Sequence, residues 1–248
     1  MRVLLLGGTT EASQLAERLK AAGVDTVFSY AGRTKAPILQ PLPTRVGGFG
    51  GTDGLRDYLR TEGITHVVDA THPFAAQMSM NAHTACQTMS IPLMRLERPA
   101  WVRQSGDNWI ETDSIEGVLD VLPEQPAHVF LAIGRQHIDI FAAKPQHHYL
   151  LRLIDTPDAA LPLPHHTVLK ARGPFTAKDD TILMQTHHIT HAVAKNAGGT
   201  ATVAKLEAAR SLGLPVIMIR RPQLPGTTVA PDIETVLCWL GHGALRGV

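Results

Sequence analysis

The sequence predicts an α/β protein with two parallel-sheet halves, helices on both faces of each sheet, and a ligand cleft between the halves. Short apolar runs that suit buried strands alternate with segments of helical length, which is typical of βαβ units. A strand–loop–helix–strand passage also occurs twice, at residues 64–99 and at 189–222. Both passages keep the apolar frame and change the loop, so we interpret them as two related halves with differently equipped loops.

In the first half, the apolar run at residues 3–6 predicts a strand buried on both faces, and Gly7 and Gly8 end it. A helix is predicted over 12–22, where Gly23 provides a C-cap. Further strands are predicted at 25–30, 44–46, 66–69 and 92–96, with helices at 52–62 and directly after Pro73.

Pro99, Trp101 and Trp109 mark a change of composition between residues 97 and 112, and we place a domain junction there. The predicted domains are residues 1–108, expected to bind the cofactor, and residues 109–248, expected to supply one wall of the substrate site. In the second half, strands are predicted at 128–133, 149–153, 167–171, 192–194 and 215–219. Its helices are predicted at 114–122, 176–187, 202–212 and from residue 232 onward.

Composition is that of an ordinary globular protein, since 44% of the 248 residues are hydrophobic and 18% are charged. A net charge of +1 gives no global field that favours nucleic acid or an anionic membrane, so we expect neither as a partner. The two cysteines imply no disulfide framework. The sequence suggests neither a signal peptide nor a membrane span, and the expected location is the cytoplasm.

The loop after the first strand resembles the turn that binds dinucleotides in Rossmann-like folds, although it lacks the G-x-G-x-x-G spacing. Glycines allow a phosphate to approach closely, and the following helix N-terminus offers N–H groups. The candidate phosphate-binding residues are Gly7, Gly8, Thr9 and Thr10. A turn that only joins strand to helix is the alternative.

The end of the second strand favours NADP over NAD. NAD-binding folds usually place a carboxylate there, whereas this chain has Arg33 and Thr34 and no acidic residue soon after Tyr30. A guanidinium can bind a 2′-phosphate through two hydrogen bonds, and a solvated surface arginine is the alternative. Gly48 and Phe49 are expected beside the adenine end, unless their glycine-rich stretch is only a connector.

The loop of the first repeated passage contains Asp69, Thr71 and His72 and should follow the strand that neighbours the first strand. That position is near the nicotinamide and the reacting carbon. Thr71 is therefore a candidate cofactor contact, and His72 is a candidate proton donor. A histidine that caps the helix and packs on Pro73 is the equal alternative for His72.

The loop of the second repeated passage contains Lys195, Asn196 and Gly198 just before a helix, which suits an anion. Arg135 and Arg172 follow two other strands of the same half. Three strand-end cations in a chain of net charge +1 indicate a substrate with several carboxylates or phosphates. We assign all five residues to the substrate. Lys195 is also a candidate proton donor, and bulk water is the alternative to both His72 and Lys195.

The 13 histidines do not predict a metal site. His187, His188 and His191 lie close in sequence, but they have no cysteine or carboxylate at ligand spacing, so we predict no metal. The motifs of serine hydrolases and zinc proteases are also absent from the sequence.

These loops together resemble the precorrin-6A reductase family of cobalamin (vitamin B12) biosynthesis. The resemblance extends to about residue 225, and it departs at Ala197, where the family pattern has serine. The matching stretches are 5–12 (LLGGTTEA), 31–34 (AGRT), 46–51 (VGGFGG), 68–75 (VDATHPFA), 95–101 (RLERPAW), 132–136 (AIGRQ), 171–176 (ARGPFT), 195–199 (KNAGG) and 205–210 (KLEAAR).

The resemblance implies NADPH-dependent reduction of one macrocycle double bond in precorrin-6A, giving precorrin-6B. It also implies a tetrapyrrole substrate with many carboxylates, which agrees with the three cationic loops, and handover to neighbouring enzymes of the pathway is expected. Two alternatives stay open. One is an NADP-dependent oxidoreductase that acts on another polyanion, such as a nucleotide-linked sugar, and the other is a non-catalytic nucleotide-sensing module.

Overall fold

The structure is a computed structural model that describes residues 1–32, 37–155, 157, 159–224 and 226–245. The chain divides into two compact units. The first unit contains Met1–Pro99 and Gln223–Val248, and the second unit contains Ala100–Pro222. Each unit has one six-stranded sheet in which neighbouring strands are parallel. The predicted α/β fold with two parallel-sheet halves is therefore confirmed.

Up to Pro99 the chain alternates strands and helices as predicted. The strands are β1 (Arg2–Leu6), β2 (Asp25–Tyr30), β3 (Thr44–Val46), β4 (His66–Asp69) and β5 (Leu93–Leu96). The helices are α1 (Thr10–Ala21), α2 (Gly51–Thr61) and α3 (Ala76–Met89). The last of these begins later than predicted, because a turn intervenes in which the N–H of Ala75 donates to the carbonyl of His72 at 2.7 Å.

The second unit repeats the alternation and adds one strand that was not predicted. Its strands are β6 (Asn108–Thr112), β7 (His128–Ala132), β8 (His148–Leu153), β9 (His166–Lys170), β10 (His191–Lys195) and β11 (Pro215–Ile219). Its helices are α4 (Gly117–Val121), α5 (Ala177–Thr186) and α6 (Ala204–Ser211), and a 3₁₀ helix spans Asp139–Ala143. The sequence around β6 is interpreted as the domain junction, because the composition changes there.

The chain then returns to the first unit through β12 (Thr228–Ala230) and α7 (Ile233–Leu245). The second unit therefore differs from the predicted domain 109–248 at both ends, because it begins at Ala100 and ends at Pro222. Asn108 begins a strand that pairs with β11, so the second unit begins at Ala100. Val236 and Leu240 of α7 lie in the core of the first unit. Composition alone marks a linker, whereas long-range strand pairing and packing decide where the units divide.

Both sheets have the same strand order. The first sheet has the order β12-β5-β4-β1-β2-β3, and the second has β6-β11-β10-β7-β8-β9. The two repeated passages, β4–α3–β5 and β10–α6–β11, therefore occupy equivalent places beside β1 and β7. The sixth strands are exchanged, since β6 follows β5 in sequence but joins the second sheet, and β12 follows β11 but joins the first. Each sheet reverses its order next to β1 or β7, where ligands of such folds bind.

Candidate functional site

The turn between β1 and α1 has the geometry that phosphate binding requires. Gly7 is packed against Phe28 so closely that a Cβ at this position would lie 2.0 Å from the ring Cζ. Gly8 has a φ of +132°, and the space where its Cβ would point is open. An anion can therefore approach the backbone at the start of α1, where the first N–H groups lack partners within the helix.

Thr9 joins this turn to the loop after β4. Its hydroxyl accepts the N–H of Ala12 at 3.1 Å and donates to the carbonyl of Ala70 at 2.9 Å. The hydroxyl thus caps α1 and connects two loops, and the predicted phosphate contact of Thr9 stays a prediction. Thr10 is exposed at the first position of α1, which leaves its predicted role in place as an expectation.

The loop after β3 is organised by Arg45, which the sequence analysis did not single out. Its guanidinium donates to the hydroxyl of Ser29 at 2.8 Å and to the carbonyls of Gly47 at 2.9 Å and Gly48 at 3.1 Å. It also lies 3.9 Å from the centroid of the Phe49 ring, within cation–π range. Gly48 and Phe49 thus belong to one loop that Arg45 fixes. An arginine in a three-residue strand beside a glycine-rich loop was the available signal.

Strand register brings the candidate cofactor residues to one edge of the first sheet. Leu6 lies opposite Ser29 in β2 and opposite Asp69 in β4, and Tyr30 lies opposite Val46 in β3. The loops after β1, β3 and β4 therefore share the carboxyl edge, as predicted. Arg33 and Thr34, the predicted 2′-phosphate contacts, lie outside the described residues.

The loop after β4 is built around the carboxylate of Asp69, which is only 2% exposed. Its Oδ1 accepts the N–H of Thr71 at 3.1 Å and the hydroxyl of Thr71 at 2.6 Å, and its Oδ2 accepts the hydroxyl of Ser79 at 2.5 Å. Thr71, predicted as a cofactor contact, therefore uses its hydroxyl to hold the loop. Burial, together with the charge of Asp69, raises the pKa of the Cys86 thiol to about 12.

His72 is half-buried in the same loop. Its Nδ1 accepts the N–H of Phe74 at 3.2 Å, so the neutral ring carries its proton on Nε2. The centroids of the His72 and Phe74 rings lie 5.9 Å apart. The structural alternative holds in part, because His72 caps the turn before α3. The loop nevertheless lies at the edge of the sheet that carries the cofactor residues, so His72 stays a candidate proton donor.

In the second unit, the three predicted cations follow strands of one sheet. Arg135 follows β7, Arg172 follows β9 and Lys195 ends β10. Because the order β9-β8-β7-β10 is parallel throughout, these residues lie in loops at one edge. Arg135 and Arg172 are exposed, and Lys195 is half-buried. This edge therefore carries positive charge in the loops that the sequence predicted.

The side chain of Asn196 connects its loop to Trp101. Asn196 is buried, with only 8% of its surface exposed. Its Oδ1 accepts the N–H of Trp101 at 2.8 Å, and its Nδ2 donates to the carbonyl of Trp101 at 3.0 Å. The indole Nε1 of Trp101 donates to the carbonyl of Gly199 at 2.8 Å. Both ends of the Asn196 amide therefore position the loop, and the predicted substrate contact stays a prediction. Gly198, with a φ of +68°, is buried in that loop.

The arginines that end the two repeated passages bind the candidate ligand loops. Arg98 Nη1 lies 2.6 Å from a carboxylate oxygen of Glu11, in the first turn of α1. Arg221 donates from Nε to the carbonyl of Asn196 at 2.9 Å and from Nη2 to the carbonyl of Ala197 at 3.0 Å. The sequence gives no local indication of these contacts, because the partners of both arginines are distant in sequence.

Within the described ranges, no group of three or more His, Cys, Asp or Glu side chains is arranged to hold a metal ion. None of the helices in the same ranges is long and apolar enough to cross a membrane.

Taken together, the fold and its loops define an α/β protein of two parallel sheets, with a dinucleotide-type turn in one unit and cationic strand-end loops in the other. A family model of the precorrin-6x reductases CbiJ/CobK matches residues 2–241. The chain belongs to this family, which confirms the predicted resemblance.

Full-length relatives agree with this assignment. A precorrin-6A reductase of Rhodobacter capsulatus is 57% identical over 249 residues, which cover 100% of this chain and 99% of the relative. A precorrin-6A reductase of Rhodococcus erythropolis is 47% identical over 242 residues, or 97% of each chain. A solved structure described as CobK precorrin-6A reductase superposes with a TM-score of 0.94 at 56% identity, covering 98% of this chain and 96% of that one.

Proposed function

We propose that this chain uses NADPH to reduce one double bond of the precorrin-6A macrocycle, giving precorrin-6B on the route to cobalamin. The observation that carries the proposal is the 57% identity, over the full length, to a precorrin-6A reductase. The two loop sets support it, because one suits a dinucleotide and the other suits a substrate with many carboxylates. We place the reaction in the cytoplasm, with handover of the product to the next enzyme of the pathway.

The residues of the first unit fit NADPH. The open backbone at Gly8 and the N-terminus of α1 would hold the diphosphate, with Gly7 and Thr10 on either side. Arg33 would bind the 2′-phosphate, and its guanidinium discriminates against NADH, which lacks that group. The loop fixed by Arg45 would face the adenine end. NADPH supplies the hydride when bound, and the protein supplies its position.

The residues of the second unit fit a tetrapyrrole that carries carboxylates around its ring. Arg135, Arg172 and Lys195 follow different strands, so their charges are distributed along one edge of the sheet. A guanidinium can hold a carboxylate through two hydrogen bonds, and an ammonium acts as a point charge. Several separated cations would bind and orient one multivalent substrate better than a single cluster.

Reduction of a double bond also needs a proton at the neighbouring carbon. His72 offers an Nε2–H near the candidate nicotinamide site, and Lys195 offers an ammonium at the candidate substrate edge. We propose that one of these two residues donates the proton, and mutation of each tests which one. His72→Ala or Lys195→Ala should lower kcat by about 100-fold if the residue is the donor. Lys178→Ala, which removes an exposed lysine of α5, is the control. Near-normal kcat in both test variants would remove both as acids.

The central experiment follows the purified protein with NADPH and precorrin-6A by absorbance. We expect the NADPH band at about 340 nm to fall while the macrocycle spectrum changes with the same time course. NADPH binding without consumption would instead favour a nucleotide-sensing module. Consumption with a different polyanion, and none with precorrin-6A, would favour another oxidoreductase.

The cofactor assignment has a separate test at Arg33. Arg33→Ala should raise KM for NADPH by about tenfold or more and leave KM for NADH unchanged, because only NADPH carries the 2′-phosphate. Arg60→Ala removes an exposed arginine of α2 that pairs with Asp57, and it serves as the matched control. Equal losses for NADPH and NADH in Arg33→Ala would contradict the assignment.

A further inference from the structure

The two repeated passages end in Arg98-Pro99 and in Arg221-Pro222, and the division between the units follows each proline directly. The two arginines are therefore equivalent by sequence and by place in the fold. Each binds a negative group of the loop that would hold an anionic ligand in its own unit. The negative groups differ, and this difference indicates what the arginines do.

In the first unit, the negative group is the carboxylate of Glu11. It stands in the first turn of α1, where the helix dipole favours a negative charge and where the diphosphate of NADPH would bind. An uncompensated carboxylate there would repel the diphosphate. Arg98 lies 2.6 Å from this carboxylate, and the side chains of Arg98 and Glu11 are only 17% and 27% exposed. The partial burial reduces screening by water, so the neutralisation acts on the neighbouring site.

In the second unit, the groups that Arg221 binds are two carbonyl oxygens, which carry only partial negative charge. Arg221 binds the carbonyls of Asn196 and Ala197, which directly follow Lys195 in the loop. Unmasked carbonyl dipoles beside Lys195 would oppose a substrate carboxylate. The planar fork of a guanidinium reaches both carbonyls at once, whereas a lysine ammonium would act as a single point charge. Trp101 fixes the same loop from its other side through Asn196 and Gly199.

We propose that Arg98 and Arg221 are equivalent positioning residues: Arg98 neutralises the carboxylate of Glu11 beside the dinucleotide-type turn, and Arg221 binds the carbonyl dipoles beside Lys195. Arg98 sets the affinity for NADPH, and Arg221 sets the affinity for the carboxylate-rich substrate. This inference rests on the proposed function, because that function assigns a ligand to each loop. Both residues act through other groups, Glu11 or the two carbonyls, and neither needs to touch the reacting atoms.

The test compares two binding constants in matched variants of the full-length protein. NADPH binding is measured by the fluorescence of the dihydronicotinamide, and precorrin-6A binding is measured by its absorbance change without NADPH. Arg98→Ala should weaken NADPH about tenfold and leave precorrin-6A unchanged. Arg221→Ala should weaken precorrin-6A by a similar factor and leave NADPH unchanged. Each variant is thus the control for the other.

Two further variants separate neutralisation from general stability. Glu11→Gln added to Arg98→Ala removes the uncompensated carboxylate and should restore NADPH affinity. Arg221→Lys keeps the charge and loses the fork, and it should bind precorrin-6A with an affinity between those of the wild type and Arg221→Ala. The weakening in Arg98→Ala should also shrink as salt is added, because screening reduces the repulsion.

Loss of both ligands in both arginine variants, together with a lower Tm, would overturn the inference in favour of a purely structural role. Unchanged binding constants would also overturn it, as would a double variant that binds NADPH as weakly as Arg98→Ala. Neither binding constant requires turnover. A wild type that binds both ligands and never oxidises NADPH would therefore refute the proposed function and leave the arginine test decided on its own results.

Discussion

The two repeated passages are alike at the amino edge of their sheets and different at the carboxyl edge. At the amino edge, the hydroxyl of Thr65 donates to the carbonyl of Arg2, and the hydroxyl of Thr190 donates to the carbonyl of His128, both at 3.1 Å. At the carboxyl edge, the first loop is held by buried Asp69, whereas the equivalent position of the second passage is Ala194. The two passages therefore share contacts at the amino edge, and they differ at the carboxyl edge, where the candidate sites lie.

A second difference lies where the central strands end. Leu5 of β1 is opposite Phe28, and the equivalent Leu131 of β7 is opposite Leu151. The register therefore places Ile133 of the second unit at the position of Gly7. The first unit combines a large ring with a glycine, and the second combines a leucine with an isoleucine. The large Phe28 side chain therefore requires glycine at position 7 of the candidate cofactor site. In the second unit, the smaller Leu151 leaves room for Ile133 at the equivalent position.

The largest effect is expected from Gly7→Ala. The added Cβ would lie 2.0 Å from the Phe28 ring, so the ring or the turn must move. We expect the free energy of unfolding to fall by about 3 kcal/mol, as for a severely overpacked core. Urea unfolding measures the loss, and NADPH titration should show weaker binding because the turn shifts.

The matched variant for this comparison is Gly7→Ala with Phe28→Leu, which copies the leucine of the second unit. It should recover part of the lost free energy, since the smaller side chain makes room for the methyl group. A double variant that is less stable than Gly7→Ala alone would contradict the coupling between these two positions.

The next effect concerns the buried groups that hold the two repeated loops. Asp69→Asn replaces one of the two carboxylate oxygens, which accept from Thr71 and Ser79, with an NH2 donor, and we expect a loss of about 2 kcal/mol. Asn196→Asp places a carboxylate against the carbonyl of Trp101, with a similar loss. Hydrogen exchange followed by mass spectrometry should locate each loss in the unit that carries the change. Losses spread equally over both units would argue against separately held loops.

The sequence was sufficient for the parts of this comparison that depend on local pattern. Apolar runs and glycines identified β1, β4, β7 and β10 and the loops that follow them, because a buried strand and its turn have a local signature. Parallel strands then bring the ends of neighbouring strands to one edge. Parallel pairing therefore predicts, without knowledge of any contact, that the loops with Arg135, Arg172 and Lys195 lie at one edge.

The parts that the sequence did not predict depend on distant partners. Asn196 suggested a ligand contact, yet its amide binds Trp101, which is 95 residues away in sequence. Arg98 has no local signature of its role for the same reason, since its partner Glu11 is 87 residues away in sequence. The exchange of β6 and β12 is also a matter of long-range pairing, since a short strand with mixed polarity gives no indication of which sheet it joins.

Acid should destabilise the second unit more than the first. Burial lowers the pKa of His147, His148 and His191 in the second unit, with nearby His128 adding to the effect at His148. Among the described residues of the first unit, burial also lowers the pKa of His66. A lowered pKa in the folded state means that the unfolded state binds more protons, so stability is lost as the pH falls below the ordinary histidine value of about 6.5.

Hydrogen exchange at about pH 7.5 and about pH 5.5, corrected for intrinsic rates, can measure this difference unit by unit. Protection of β7, β8 and β10 should fall more than protection of β1 and β4. His148→Gln should reduce the acid sensitivity of the second unit, because it removes a group that titrates. Equal losses of protection in the two units would disprove the expected asymmetry.

The smallest effect tests the likeness at the amino edges. The Thr65 hydroxyl accepts the N–H of Arg2 at 3.0 Å and lies 3.0 Å from the Nδ1 of the next histidine. The Thr190 hydroxyl accepts the N–H of His128 at 3.2 Å and lies 2.9 Å from the Nδ1 of the histidine that follows it. Valine has the shape of threonine without the hydroxyl, so Thr65→Val and Thr190→Val remove the same contacts.

Each variant should lose about 1 kcal/mol of the stability of its own unit, because these hydrogen bonds are exposed and water can replace part of them. The two losses should agree within about 0.5 kcal/mol, since the contacts match in partners and distances. Exchange rates of amide groups in β1 and β7 measure the two losses in the same sample conditions. If Thr190→Val cost several times more than Thr65→Val, the amino edge would have diverged in energy despite its matching geometry, and the division between a kept edge and a varied edge would no longer describe the two units.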